Sequence, residues 1–134
     1  MAQPAILIAD DEKHMLTLLR ASLEPIDCRI LTANSGEEAL VKTASTVIDL
    51  LVIDFEMPGI SGVEAVRQIK ESPQYGNLPV ILITGRGQNR IRADAILAGA
   101  TEVMTKPFSP MELLETVQRL LTASRTNRGN PDDT

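Results

Sequence analysis

The sequence predicts an α/β fold, a doubly wound five-stranded parallel sheet with five surrounding helices. Two observations carry that prediction. Short apolar runs recur along the chain, as in strands buried on both faces. Between them lie longer stretches whose apolar positions repeat at helical spacing. Strands and helices that alternate in this way join through right-handed crossovers.

Each element follows in order. "AILIA" (Ala5–Ala9) is the first buried strand. From Lys13 to Leu23, the residues Met15, Leu16, Leu19 and Leu23 mark one helical face. "CRILTA" (Cys28–Ala33) is the second strand. Ser35 is a cap for a helix with Ala39, Leu40, Thr43, Ala44 and Val47 on its inner face. "DLLVID" (Asp49–Asp54) is the third strand. Val63, Val66 and Ile69 define a helix over Gly62–Glu71, ended by the Ser72-Pro73 break. "PVILIT" (Pro79–Thr84) is the fourth strand. A weaker helix spans Asn89–Ala98, with Ile91, Ala95 and Ala98 inward and Gly99 at its end. "TEVMT" (Thr101–Thr105) is the fifth strand. Ser109-Pro110 opens the last helix, whose stripe is Leu113, Leu114, Val117, Leu120 and Leu121.

Composition narrows the function. At 134 residues the chain is one domain able to bury a core. A net charge of −5 argues against a nucleic-acid footprint and a basic membrane patch. The single Cys28 excludes an internal disulfide and a cysteine metal site, and reads as a small buried hydrophobe. No apolar run approaches the ~18 residues of a membrane span. The start, "MAQPAILIADDE", lacks the basic region of a signal peptide, so a cytoplasmic location is expected.

In open parallel sheets, ligands sit beyond the carboxyl ends of the strands. The first strand ends in Asp10-Asp11, the third in Asp54, the fourth in Thr84 and the fifth in Lys106-Pro107. The second ends in Ala33-Asn34, with no evident chemistry. Singly, each has an ordinary reading. Asp10 and Asp11 can cap a helix, Asp54 and Thr84 can start turns, and Lys106 can be a solvated strand end. Together they bring three carboxylates, a hydroxyl and an ammonium to one sheet edge. Clustered carboxylates call for a cation, and an all-oxygen set suits Mg²⁺. The hydroxyl and ammonium suit phosphate oxygens. The implied chemistry is phosphoryl transfer to a carboxylate.

The segments "ADDE", "VIDFEMPGISG", "ILITG" and "TKPF", in this order, resemble the receiver domain of bacterial response regulators, of the chemotaxis type. The resemblance runs from about Ala5 to Leu121 and includes the spacing of Thr84 and Lys106, which are twenty-two positions apart. It implies a flavodoxin-like strand order, 2-1-3-4-5. It implies a receiver over residues 1–123, with 124–134 a polar disordered tail or the start of a linker. By resemblance, Asp54 accepts a phosphoryl group from a histidine kinase or histidine phosphotransfer protein. Asp10, Asp11 and Asp54 hold Mg²⁺ with the Glu56 backbone carbonyl. Thr84 grips the phosphoryl oxygens, Lys106 pairs with carboxylate and then phosphate, and Pro107 is cis. The product is a phosphorylation-activated signalling switch that catalyses only its own phosphorylation and dephosphorylation. Its output face, about Asn89–Ser124, meets a downstream protein the residues do not name. Pro58, Gly59 and Gly62 are expected to curl the loop after Asp54 away from the site.

Two departures stand out. The family commonly carries an aromatic residue three positions before the lysine, and this chain has Val103, so activation is relayed without a ring. No output module follows Leu121, so the chain is either a stand-alone receiver or a piece of a longer one. Other classes are a haloacid-dehalogenase-type phosphatase, which needs an aspartate where Glu56 stands, and a receiver-like module that takes no phosphate. His14 reads as a surface residue, and "TGRGQNR" lacks the ending of a P-loop. Glu56 and Arg86 each lie two residues past a site residue on neighbouring strands. They are expected either to pair across the entrance or to stand solvated and apart.

Overall fold

The computed structural model describes residues 3–85 and 89–129, with side chains through residue 124. The elements are β1 (Ala5–Ala9), α1 (Lys13–Ser22), β2 (Arg29–Ala33), α2 (Gly36–Ser45), β3 (Leu50–Asp54) and α3 (Gly62–Glu71), then a 3-10 turn (Pro73–Tyr75), β4 (Val80–Thr84), α4 (Asn89–Ala98), β5 (Glu102–Thr105) and α5 (Pro110–Gly129). The sheet order is β2-β1-β3-β4-β5, with every pairing parallel.

The apolar runs became central strands because both of their faces are covered. Leu7, Leu51, Ile53, Leu82 and Val103 point into a core shared with Ala39 of α2, Ala65, Val66 and Ile69 of α3, and Ala95 of α4. Ile6, Ile8, Leu50, Val52, Ile81, Ile83 and Met104 point into the opposite core, with Leu19 of α1, Leu23 at its end, and Leu113, Val117, Leu120 and Leu121 of α5. Alternation along each strand divides its residues between the two cores. Each such buried side chain contributes roughly 1.5–3 kcal/mol.

The caps at Ser35 and Ser109 act as the sequence implies, and Ser61 caps α3 as well. Ser35 Oγ accepts from Glu38 N at 3.0 Å, and the Glu38 carboxylate takes the Asn34 N–H. Ser61 Oγ accepts from Glu64 N at 3.1 Å and Ser109 Oγ from Glu112 N at 3.3 Å.

The structure also departs from expectation. Val47 is exposed rather than inward, because α2 stops at Ser45 and Thr46 is extended. Cys28 precedes β2 and is half-buried at the edge of the α1/α5 core. Strand β3 starts at Leu50 because Asp49 takes a bridging role, its Oδ2 accepting from Ala5 N at 2.7 Å. The Ser72-Pro73 break is a 3-10 turn that buries Tyr75. The Tyr75 hydroxyl accepts from Ile48 N at 3.2 Å and lies 2.9 Å from Thr43 O and 3.0 Å from Thr46 O. Helix α5 continues through Gly129, past the expected start of the tail at 124, because no proline or glycine interrupts it sooner. Residues 130–134 lie outside the described residues. Among the described residues, no helix is long and apolar enough to cross a membrane.

Candidate functional site

Parallel register assembles the site. Ala9 pairs with Ile53, so Asp10 and Asp54 leave their strands side by side. Asp54 pairs with Ile83, which places Thr84 one step further along β4. Thr84 pairs with Thr105, and Lys106 N donates to Thr84 O at 2.7 Å. The Lys106–Pro107 peptide bond is cis. Four strand ends therefore deliver Asp10, Asp11, Asp54, Thr84 and Lys106 to one edge, as the list of strand termini implies.

Carboxylate oxygens of Asp10, Asp11 and Asp54 all lie within 4.8 Å of one another. Asp10 and Asp54 are buried, at 1% and 4% exposure, and Asp11 is exposed. Lys106 Nζ stands 3.0 Å from Asp54 Oδ1 and 3.7 Å from Asp10 Oδ2. Asp10 Oδ1 accepts from Glu12 N at 2.9 Å, so this residue also orders the start of α1. Thr84 is buried, at 1% exposure.

The electrostatics follow from crowding. Burial pushes the Asp10 carboxyl up to about 6, against the Glu12 amide that opposes it, and the Asp54 charge adds to the rise. Burial likewise raises Asp54, partly offset by the Lys106 ammonium and the Glu56 amide. For Lys106, burial acts downward, but Asp54 and Asp10 outweigh it and hold the ammonium above its ordinary value. Three carboxylates facing one ammonium leave two negative charges among these four groups. The Asp54 Oδ1 oxygen is buried and, despite the nearby ammonium, has no aligned hydrogen-bond donor. An all-oxygen donor set, one exposed member for hydration and an oxygen without a donor fit a small divalent cation.

The loop after Asp54 needs one correction. The chain bends at Pro58 and Gly59, and of the two glycines only Gly59 has a positive φ, +81°. Gly62 is instead the first residue of α3, and a Cβ there would lie 2.2 Å from Asp54 O. Its missing side chain lets the helix start against the Asp54 carbonyl. Phe55, Met57 and Ile60 anchor the loop in the α2/α3/α4 core. The Glu56 side chain reaches across the edge, its Oε1 3.7 Å from where a Cβ on Gly85 would stand. Arg86, its expected partner, lies outside the described residues. Val103 is buried beneath α4, where it packs as a core residue. Glu37, which touches this loop from α2, was not singled out by the strand-end pattern, because the second strand ends without evident chemistry.

Comparison with known proteins agrees with this geometry. The family model for the response regulator receiver domain matches residues 6–118. The chain is 35% identical over 118 residues to the phosphate regulon transcriptional regulatory protein PhoB of Rhizobium meliloti, covering 88% of this chain and 52% of that protein. It is 38% identical over 126 residues to the transcriptional regulatory protein ResD of Bacillus subtilis, covering 93% of this chain and 51% of that protein. The chain thus spans about half the length of these curated relatives. Among solved structures, chemotaxis protein CheY4 of Vibrio cholerae superposes with a TM-score of 0.84 at 29% identity, over 89% of this chain and 99% of that one. The same fold, the same sheet order and the match over most of its length make this chain a member of the response-regulator receiver family, the phosphorylation-activated switches of two-component signalling.

Proposed function

We propose that Asp54 is the phosphoacceptor and that Asp10, Asp11 and Asp54, with the Glu56 backbone carbonyl, hold Mg²⁺. The observation that carries this reading is a buried, donor-poor carboxylate oxygen at the centre of an acidic cluster, with one ammonium 3.0 Å away. When bound, the cation neutralises the cluster and draws charge from the phosphoryl oxygens.

The protein's own residues supply the rest. Lys106 holds Asp54 ionised and oriented, so that a carboxylate oxygen attacks the phosphorus of a phosphohistidine. The phosphorus–nitrogen bond breaks, and the imidazole leaves with the electron pair and takes up a proton. Thr84, at the end of β4, donates its hydroxyl to a phosphoryl oxygen, and Lys106 turns from carboxylate to phosphate. The donor is a histidine kinase or a histidine phosphotransfer protein. The chain is no enzyme toward other substrates and catalyses only the gain and loss of its own phosphoryl group. It acts in the cytoplasm, where ATP charges the kinase. The output surface is α4, β5 and α5, over about Asn89–Ser124. Exposed Ile96, Leu97 and Met111 support this assignment, since they offer apolar contacts to a partner.

The test is incubation with Mg²⁺ and acetyl phosphate, followed by intact-mass measurement. Wild type should gain one phosphoryl group and Asp54→Asn none. Unlabelled wild type would leave a receiver-fold interaction module; equal labelling of the mutant would move the acceptor elsewhere.

A further inference from the structure

The loop from Phe55 to Ser61 leaves Asp54 directly and carries the Glu56 carbonyl. Its start is tied to the sheet, where Phe55 N donates to Ile83 O at 2.7 Å. Its far end is tied to α3, where Gly62 N donates to Phe55 O at 3.0 Å. The stretch between is held from a distant part of the chain, the first turn of α2. Glu37 Oε2 accepts from Ile60 N at 3.2 Å. The same carboxylate lies flat against Gly59, so close that a Cβ there would sit 2.4 Å from Oε2 and 2.9 Å from Oε1. Gly36 meets Ile60 in the same way, since its Cβ would fall 2.6 Å from Ile60 Cγ1. Gly59 thus lets the carboxylate lie against its backbone, Gly36 makes room for the Ile60 side chain, and Gly59 adopts a φ of +81° that favours a residue without a side chain.

We infer that Glu37 is a positioning residue for the phosphorylation site. Its carboxylate clamps the Gly59–Ile60 backbone and so fixes the loop that places the Glu56 carbonyl beside Asp54. Helix α2 follows β2, the edge strand that brings no side chain to the site, and the clamp is how that side of the fold bears on it. A carboxylate accepting a backbone N–H is a charge-assisted bond and sets direction as well as distance. Residues that orient ligands without touching the ion change its affinity. This inference rests on the metal assignment above.

The experiment uses the full chain, Mg²⁺ alone as probe and the variants Glu37→Ala and Glu37→Gln. Amide hydrogen exchange at Ile60, without metal, reads the clamp itself; in Glu37→Ala it should quicken by about tenfold. Calorimetric titration reads positioning, and the Mg²⁺ Kd of Glu37→Ala should rise on the order of tenfold. Glu37→Gln keeps an acceptor oxygen at the same reach and should restore both quantities toward wild type. A merely structural role would lower the melting temperature and leave the Kd alone. Unchanged Ile60 exchange, an unchanged Kd, or a glutamine variant as impaired as the alanine would each overturn the clamp. Failure of the phosphorylation reading looks different: Mg²⁺ affinity would still follow Glu37 while acetyl phosphate left Asp54 unlabelled.

Discussion

The two ends of the sheet handle polar groups in opposite ways. At the amino end, each prominent group finds its partner within the protein. Asp49 Oδ2 accepts from Ala5 N at 2.7 Å, and Thr101 Oγ1 from Val80 N at 3.0 Å. Lys70 Nζ donates to Leu78 O at 2.5 Å, and the Tyr75 hydroxyl closes the α2–β3 connection. At the carboxyl end, like charges are gathered and Asp54 Oδ1 lacks an aligned donor. One end is finished by folding; the other is left for a ligand to complete. Stability and function are thereby separated along a single set of strands, and mutations at the two ends should differ in sign.

The largest effect on folding should come from the amino end. Tyr75→Phe removes the acceptor for the buried Ile48 N–H and should cost about 1–3 kcal/mol. Urea unfolding measures that loss, and phosphoryl labelling of Asp54 should persist. A variant that kept its stability, or lost its label while folded, would erase the distinction between the ends.

At the carboxyl end the sign reverses. Asp10→Asn keeps an acceptor for Glu12 N and removes one charge from the cluster. Without metal, its stability at neutral pH should rise, on the order of 1 kcal/mol. Mg²⁺ should raise the melting temperature of wild type, and that rise should vanish in Asp10→Asn and in Asp11→Asn. The pH dependence has a definite sign. Asp10 binds its proton more tightly in the folded state, so its contribution is full below pH 3.8 and is lost as pH rises through about 6. The stability of wild type relative to Asp10→Asn should therefore fall across that window. A difference that rose with pH would mean that the folded protein favours the ionised form.

A smaller comparison separates the relay from the core beneath it. Thr84→Ala should still take beryllofluoride at Asp54 but show weaker NMR shifts across Asn89–Lys106. Val103→Ala should lower stability, because the side chain is buried, yet leave those shifts largely intact. Lost shifts in Val103→Ala would make it part of the relay.

The smallest effect concerns the entrance. Were Glu56 to pair with Arg86, which lies outside the described residues, the pair would contribute only ~0–1 kcal/mol to stability. As a lid over the phosphoryl group, it would be visible in dephosphorylation instead. Glu56→Ala and Arg86→Ala should each quicken decay, with the double variant no faster than the faster single one. Additive acceleration, or slower decay in either single variant, would dissolve the pair into independent side chains.

Much of this architecture was legible because its signals are local. The runs at Ala5–Ala9 and Val80–Thr84 are apolar without interruption, which marks a strand covered on both faces. Once strands were placed, their last residues named the site, since parallel strands share one carboxyl edge. What escaped depends on distant segments meeting. Tyr75 bonds residues 27 to 32 positions away, and Glu37 meets Ile60 across 23. Gly62 read as a turn glycine because its sequence neighbours do not reveal Asp54 O lying where a methyl group would go. Val47 read as inward because helical spacing does not show that the helix has already ended.

The register that builds the site also dictates how the chain can be divided. The exposed turn at Gly76-Asn77 lies at the amino end, far along the strands from the acidic cluster. A cut there sends Asp10, Asp11 and Asp54 into one fragment and Thr84 and Lys106 into the other. Neither fragment carries the whole set, so in a chain cut there, phosphate held on Asp54 would report that β3 and β4 have found each other again.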